Sequence, residues 1–248
     1  MPSPAARALT LAIETSNPGG VGGGGVAIGE GGPGAAARVL GVEAVAPTSR
    51  ASGRDDGLMP AIDRLARRLG IGPRDLTRIA CSVGPGGYTG VRIAVAAAKL
   101  IAEAVGARCV GVPSARVAAR RVDRALIDVG AAGGPARPFA VAVASKGDAT
   151  FLTVFDAPSR PRDAGRLVTA DDFASADFGL LLADRFLPDA IRAAAARRGI
   201  EIVEPVFDAA ACFEESLILP EIDPEALLPV YPREPDAVTQ WRRRSARK

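Results

Sequence analysis

Histidine is absent from this 248-residue sequence. Imidazole is the side chain most often used for general acid–base catalysis, and it is a common ligand of catalytic metals. Its absence excludes Ser-His-Asp and Cys-His catalytic groups, together with every His-ligated metal site. Any chemistry would depend on carboxylates, lysine or backbone amides. We therefore predict neither catalytic nor metal-ligating residues in the chain.

Cysteine and aromatic residues are scarce, and the sequence has no long uninterrupted apolar run. Cys81, Cys109 and Cys212 are far apart and odd in number, which is typical of a reducing compartment. Aromatic residues make up 4% of the chain and apolar residues 48%, so we expect a core of Ala, Val, Leu and Ile. Without a membrane-spanning run or a signal-peptide pattern, the sequence favours a cytoplasmic protein.

Positive charge is concentrated at the C-terminal end. The formal net charge is +3, from 31 basic and 28 acidic residues. The last seven residues hold five basic side chains and no acid: Arg242, Arg243, Arg244, Arg247 and Lys248. The rest of the chain therefore carries 26 basic and 28 acidic residues, which does not favour a nucleic-acid-binding face on the folded part. The basic tail is either solvated or in contact with RNA phosphate groups.

Hydrophobic patterning predicts a first lobe over residues 1–112. Short apolar runs bounded by glycine or proline indicate strands, and longer segments with a 3.6-residue period indicate helices. The predicted strands cover residues 9–13, 26–28, 39–45, 79–83 and 108–112, and the predicted helices cover 58–69 and 91–105. This order, β-β-β-α-β-α-β, is that of a ribonuclease-H-like lobe.

A second lobe is predicted over residues 113–220. It begins with a helical stretch from Ser114 to about residue 129, and a hairpin follows across a turn at 145–148. The remaining predicted elements are a helix at 171–174, a strand at 178–183, a helix at 189–198 and a strand at 200–203. Residues 221–248 contain Pro224, Pro229, Pro232 and Pro235, so we predict an extended segment with a short helix over 236–244.

A glycine-rich loop at 84–90 stands directly before the helix over 91–105. It is not a P-loop, because Val91 and Arg92 occupy the Lys and Ser/Thr positions. It also departs from the dinucleotide fingerprint, because Thr89 stands in place of the third glycine. Two interpretations remain. The loop could present backbone N–H groups to an anion, or its glycines could permit a tight turn with close packing.

A carboxylate stands at the end of the first predicted strand, in the sequence Glu14-Thr15-Ser16. Such a carboxylate can act near a metal-bound phosphate, but it can equally belong to a capped turn. Together with the glycine loop it defines the candidates for a nucleotide contact, although the sequence assigns no cofactor. These candidates are Glu14, Thr15, Ser16, Gly86 and Gly87.

The helix predicted over 91–105 is apolar nearly all round. Its charged residues, Arg92, Lys99 and Glu103, form one narrow stripe, and the remainder is Ala, Val, Ile and Leu. A helix of this kind is buried on more than one side. The second side is covered either by this domain or by another chain.

Four stretches resemble the TsaB (YeaZ) family of tRNA threonylcarbamoyladenosine biosynthesis proteins. The most specific is GPGGYTGVRI at 84–93, and the others are LAIETS at 11–16, GLMPAIDRL at 57–65 and LLPVYPREPDAVTQW at 227–241. They lie in order over nearly the whole chain. The turn at Ala144-Ser145-Lys146 departs from the Asp-Ala-Arg common in the family. The family motif comprises Gly84, Pro85, Gly86, Tyr88, Thr89, Gly90, Val91 and Arg92.

The resemblance implies an α/β fold with two ribonuclease-H-like lobes of the actin, Hsp70 and sugar-kinase superfamily. It also implies a non-catalytic subunit that binds a TsaD-like catalytic subunit and a TsaE-like ATPase, or a second copy of itself when free. The complex would form N6-threonylcarbamoyladenosine at position 37 of tRNAs that read ANN codons. The contact with tRNA would be indirect or made through the basic tail. The partner-binding residues implied are Leu58, Met59, Ile62, Val91 and Ala94.

An alternative is a stand-alone ATP-dependent phosphotransferase or hydrolase of the same fold. Such an enzyme needs acidic groups at both phosphate-binding turns and a catalytic carboxylate in the cleft. The sequence offers Glu14 for the first of these, and no second acid stands out. The resemblance therefore favours the accessory subunit, and it favours the tight turn over the anion site for the glycine loop.

Overall fold

The structure is a computed structural model. It describes residues 8–17, 21–31, 36–45, 57–127, 137–233 and 245. The predicted helix over 236–244 and the basic tail lie outside the described residues. Within those residues, no helix is both long and apolar enough to cross a bilayer.

The first lobe contains a five-stranded sheet in the order β3-β2-β1-β4-β5. The strands are β1 (Leu9–Glu14), β2 (Gly25–Glu30), β3 (Arg38–Ala44), β4 (Leu76–Gly84) and β5 (Arg108–Pro113). Strands β1, β2 and β3 pair antiparallel, whereas β4 runs parallel to both β1 and β5. A helical crossover joins each parallel strand to its predecessor, as parallel pairing requires. The predicted order β-β-β-α-β-α-β is confirmed.

Two helices, α1 (Leu58–Leu69) and α2 (Tyr88–Val105), cover one face of this sheet. We call them the outer layer. Each ends at a glycine with positive φ, 65° at Gly70 and 73° at Gly106, which is the left-handed stop expected of glycine. Helix α2 begins three residues before the predicted start at Val91, because the helical turn forms immediately after Gly87.

The second lobe contains a six-stranded sheet. Its strands are β6 (Phe139–Lys146), β7 (Ala149–Ala157), β8 (Arg160–Pro161), β9 (Arg166–Val168), β10 (Leu180–Ala183) and β11 (Glu201–Val203). The order is β11-β10-β6-β7-β8, and β9 also pairs with β7. Strands β6 and β7 form the predicted hairpin, and β10 runs parallel to β6 and β11. The predicted helix at 171–174 is a 3-10 turn at Ala170–Ser175.

Helical segments also cover the other face of the first sheet, and all of them follow β5 in the chain. Helix α3 (Ser114–Arg120) follows β5, and α4 (Arg124–Ile127) comes next. The single helix predicted from Ser114 is therefore wrong: Asp123 accepts from Ala125 N–H and starts a new helix. Helix α5 (Asp189–Arg197) packs against the second sheet.

Helix α6 (Ala209–Ser216) was not predicted. It packs against α3 and across strands β1, β2, β4 and β5. Asp208 caps it by accepting a hydrogen bond from Ala211 N–H at 2.7 Å. The Phe213 ring lies directly over Gly29 of β2, where a Cβ would come within 2.5 Å of the ring. We call α3 and α6 the inner layer of the first sheet.

The segment 221–233, which we call the C-terminal strap, runs along the edge of the first lobe and reaches the second. Ile222 and Cys109 exchange backbone hydrogen bonds, and Val230 N–H donates to the Val83 carbonyl at 2.8 Å. Arg233 then donates to the carbonyls of Ala144, Lys146 and Ala149 in the β6–β7 hairpin. The strap therefore ties the two lobes together. The division of the chain at 113 and 221 stays a prediction.

Candidate functional site

The glycine loop packs directly on the Glu14-Thr15-Ser16 turn. Gly87 N–H donates to the Ser16 carbonyl at 2.6 Å, and the Thr15 hydroxyl donates to the Gly90 carbonyl at 3.0 Å. A Cβ at Gly86 would collide with the Ser16 carbonyl, and one at Gly90 would collide with the Thr15 carbonyl. The structure thus brings the candidate nucleotide residues together, but it uses the loop for close backbone packing.

Glu14 lies beneath this turn and is 1% exposed. Its Oε1 accepts from Ser16 N–H at 2.7 Å and from the Ser16 hydroxyl at 2.6 Å. Burial raises the pKa of the Glu14 carboxyl above its usual value, and the Ser16 hydrogen bonds only partly offset that effect. The carboxylate therefore acts as the cap of a turn.

A cleft of about 360 Å³ separates the two lobes above this turn. Ser16, Asn17, Gly86 and Gly87 form its first-lobe wall. The second-lobe wall consists of Ala144, Ser145, Asp184, Arg185, Phe186 and Glu204. The Ser16 hydroxyl, which is fully buried, donates to Glu14 and accepts from Asn17 Nδ2 at 3.0 Å. The polar groups at the floor of the cleft therefore already hydrogen-bond to one another.

Sequence reasoning singled out the turn at Ala144 and Ser145 but missed the rest of the second-lobe wall. Asp184 follows the last residue of β10, which is the strand-end position that drew attention to Glu14 in the first lobe. Arg185 and Phe186 come next, and Phe186 N–H donates to Asp184 Oδ1 at 2.9 Å. A search for polar residues after every predicted strand would have found Asp184 and Arg185.

No metal site is evident in the part of the chain that the structure describes. There, no group of three or more His, Cys, Asp or Glu side chains could hold an ion. The three cysteines are buried and free of disulfides. Burial raises the pKa of the Cys81 and Cys212 thiols well above the ordinary value and that of Cys109 to about 11. These thiols are therefore part of the core.

Four of the five implied partner-binding residues lie in the core of this chain. Leu58, Ile62, Val91 and Ala94 are between 0% and 9% exposed and pack between the outer helices and the first sheet. Met59, the fifth, is 51% exposed. Ile62 also lines the groove between the two helices, whereas Leu58, Val91 and Ala94 hold α1 and α2 against the sheet.

An apolar strip lies on the solvent side of the outer layer. Ile93 and Leu100, two turns apart on α2, are 38% and 72% exposed. Ala104 is one turn beyond Leu100, so these side chains share one face of the helix. Met59 of α1 stands beside the groove between the helices. We call this strip and the adjoining groove the α1/α2 face.

The groove between α1 and α2 has a volume of about 360 Å³. Its lining is nearly all apolar and includes Met59, Ile62, Ala66, Ile101, Ala104 and Val105. Asp63 and Arg67 also line it, and they pair with each other one helical turn apart at 2.8 Å. An apolar depression beside exposed Leu and Ile side chains is the type of surface that another protein covers.

Comparison with known proteins finds one matching family model and several solved structures with a similar fold. Residues 43–150, less than half of the chain, match the sequence model of the TsaD family, tRNA N6-adenosine threonylcarbamoyltransferase. The crystal structure of an uncharacterized Pseudomonas aeruginosa protein with similarity to peptidase YEAZ gives a TM-score of 0.63 at 19% identity. That alignment covers 91% of this chain and 100% of the other.

YeaZ from Pseudomonas aeruginosa gives a TM-score of 0.58, also at 19% identity, over 90% of this chain and 99% of the other. No curated protein sequence matches the chain. The predicted α/β fold with two ribonuclease-H-like lobes is confirmed, as is the resemblance to YeaZ at the level of fold.

Proposed function

We propose that this YeaZ/TsaB-like protein is a non-catalytic subunit of a complex that forms N6-threonylcarbamoyladenosine at position 37 of ANN-decoding tRNAs. Its partner is a TsaD-family catalytic subunit, joined by a TsaE-like ATPase. The protein acts in the cytoplasm and forms a dimer with a second copy when no partner is present. Contact with tRNA is indirect or passes through the basic tail.

The observation that carries this proposal is the α1/α2 face. Leu100 and Met59 are large apolar side chains, 72% and 51% exposed, on two adjacent helices beside an apolar groove. Single exposed apolar residues are common on protein surfaces, but a contiguous strip with a groove favours a protein contact. A partner with related lobes would present its own helices to this face and bury the strip by helix–helix packing.

Three observations disfavour the stand-alone phosphotransferase or hydrolase. The Glu14 carboxylate is buried and bonded to its own turn, so a nucleotide in the cleft would not reach it. Gly87 N–H already donates within the protein. The chain has no histidine, and its three thiols are buried with raised pKa values. ATP hydrolysis by the purified protein that is lost in Glu14→Ala would support the enzyme instead.

The direct test is co-purification with a TsaD-family partner from the same organism. We expect Leu100→Glu and Met59→Glu to weaken the complex more than a hundredfold, since an unpaired charge buried in a contact costs about 3 kcal/mol or more. Gel filtration and titration calorimetry of the mixed proteins measure the loss. Cells that carry only these variants should also lack the threonylcarbamoyl mass at nucleoside 37.

Ile218→Glu is the matched control, because Ile218 is 60% exposed and lies outside the α1/α2 face, just after α6. It should leave complex formation unchanged. Wild-type affinity in both face variants, with all proteins folded by circular dichroism, would contradict the proposed docking surface. Full modification of nucleoside 37 in cells that lack the protein would contradict the proposed role.

A further inference from the structure

The tip of the β6–β7 hairpin, residues 144–149, contributes to the second-lobe wall of the cleft. Ala144 and Ser145 line the cleft, and residues 146–148 are exposed at the turn. The base of the hairpin has different surroundings, because the residues of β6 before Ala144 are all buried, and several belong to the apolar core between the two sheets. The hairpin therefore has a fixed base and a tip that stands beside the cleft.

The backbone of the hairpin tip is strained at Ala144. Its φ is 53°, in the left-handed region that residues with a Cβ rarely adopt. The pairing of β6 with β7 is irregular at the same place, because the register shifts between Val143 and Lys146. Such a shift disrupts the ladder of hydrogen bonds locally. A strained residue beside a disrupted ladder keeps its conformation only when other contacts hold it there.

Arg233 of the C-terminal strap supplies such contacts. Its Nη1 donates to the Ala144 carbonyl at 2.9 Å, and its Nη2 donates to the carbonyls of Ala149 at 2.8 Å and Lys146 at 3.3 Å. Ala144 and Lys146 belong to β6 and Ala149 to β7, so one guanidinium bonds both strands of the tip. Hydrogen bonds from a charged donor are stronger than those from a neutral one.

The strap that carries Arg233 is fixed to the first lobe. Leu227 is 1% exposed and belongs to the core beneath the outer layer, and Val230 N–H donates to the Val83 carbonyl at 2.8 Å. Val83 leads directly into the glycine loop, whose Gly86 and Gly87 line the opposite wall of the cleft. The strap therefore begins on one wall of the cleft and ends, at Arg233, on the other.

We infer that Arg233 is a latch that sets the width of the cleft. While its guanidinium bonds the three carbonyls, the hairpin tip is held against the strap and the cleft keeps its observed width. When these bonds are released, the tip moves about Ala144 and this part of the second-lobe wall becomes mobile. The apolar core between the two sheets still keeps the lobes together. The inference concerns the cleft alone and does not depend on the proposed function.

The test uses the full-length protein with spin labels on two engineered cysteines, Asp148→Cys at the hairpin tip and Arg74→Cys at the end of β4 remote from the cleft. Both positions are exposed, and the three native cysteines are buried, so labelling is selective. Pulsed electron–electron double resonance measures the distance between the labels. We expect one narrow distance distribution with Arg233 present and a distribution at least about twice as wide in Arg233→Gln, because the tip then samples several positions.

Hydrogen exchange of the unlabelled protein gives a second readout. Amides of the segment 143–151 should exchange at least about tenfold faster in Arg233→Gln, because the hydrogen bonds that hold the tip are lost. Arg233→Lys keeps the charge but not the planar fork of donors, so it should give an intermediate rate, and it replaces the glutamine variant if that variant does not fold. Arg166→Gln is the matched control, because Arg166 is exposed and pairs within the second lobe, with Asp172 at 2.7 Å. It should exchange like the wild type.

Three results would refute the latch. An unchanged distance distribution and unchanged exchange in Arg233→Gln would show that the hairpin holds its own tip. Faster exchange throughout the first lobe, or a larger radius of gyration in small-angle X-ray scattering, would show that Arg233 holds the lobes together rather than the tip. Equal effects of Arg233→Gln and Arg166→Gln would assign the change to a general loss of stability.

Discussion

The two layers of helices on the first sheet are built in opposite ways. The inner layer, α3 and α6, is closed by ion pairs within the chain: Arg121 bonds Asp208 and Glu214, and Arg116 bonds Glu215, which is fully buried. The outer layer, α1 and α2, leaves Leu100 and Met59 exposed, and its Arg67–Asp63 pair is exposed to solvent. The inner layer is held by ion pairs that are partly or fully buried, whereas the outer layer leaves large apolar side chains exposed.

The inner layer should respond most strongly to loss of a core side chain. Phe213 of α6 is fully buried over Gly29, and Phe213→Ala removes its ring contacts and leaves a cavity. We expect the free energy of unfolding to fall by about 4 kcal/mol, the middle of the range for such truncations. Urea unfolding followed by circular dichroism measures the change. A loss under about 1 kcal/mol would show that α6 does not close this face of the sheet.

Loss of an ion pair should also lower the free energy of unfolding more in the inner layer than in the outer layer. The difference should be smaller than the effect of Phe213→Ala. Arg121→Met removes a half-buried cation that bonds two carboxylates, and we expect a loss of about 2 kcal/mol. Arg67→Met on α1 removes an exposed pair and should cause no measurable change. Equal effects of the two substitutions in urea unfolding would contradict the contrast between the layers.

The pH dependence provides a further readout of the Arg121 substitution. Burial raises the pKa of Asp208 and of Glu214, but hydrogen bonds from Arg121, together with the α6 backbone N–H groups at Asp208 and Arg120 at Glu214, outweigh it and hold both pKa values below their usual range. Carboxyls with a lowered folded-state pKa add stability above their unfolded pKa and lose it as pH falls through the folded one. The difference between wild type and Arg121→Met should therefore be full at neutral pH and shrink on acidification.

The smallest effect on stability is expected from the exposed strip of the outer layer. Leu100→Glu should change the free energy of unfolding of the isolated chain by less than about 0.5 kcal/mol, because a side chain that is 72% exposed has few contacts to lose. Thermal unfolding of the free protein measures it. A large loss would mean that Leu100 already packs against this chain, and the contrast between the layers would fail.

The sequence predicted the first lobe well because its signals are local. Glycine or proline separates each strand from the next helix, and Gly70 and Gly106 end α1 and α2. The β6–β7 hairpin was predicted for the same reason. Helix α6 was missed because AAACFEES mixes small and apolar residues with little periodicity. The signal that could have found it is Asp208, a side-chain cap directly before an alanine run.

The site was harder to predict because its geometry is not local. A helix that is apolar all round does not reveal which side meets its own sheet. The family resemblance implied Val91 and Ala94 as partner-binding residues, and both are buried in the core beneath α2, whereas Ile93 and Leu100, on the exposed side, were not named. The prediction of the cleft was incomplete because Arg185 and Phe186 lie opposite the glycine loop only once the two lobes have packed together.

The position of α6 in the chain has a consequence for biosynthesis. Translation completes all five strands of the first sheet by Pro113, but the helix that covers their inner face ends only at Ser216. Until that residue leaves the ribosome, only α3 of the inner layer is available to cover this face, and nascent chains with exposed apolar surface are prone to aggregate. A chain terminated prematurely after β5 would contain every strand of the sheet and still be a substrate for chaperones and proteases.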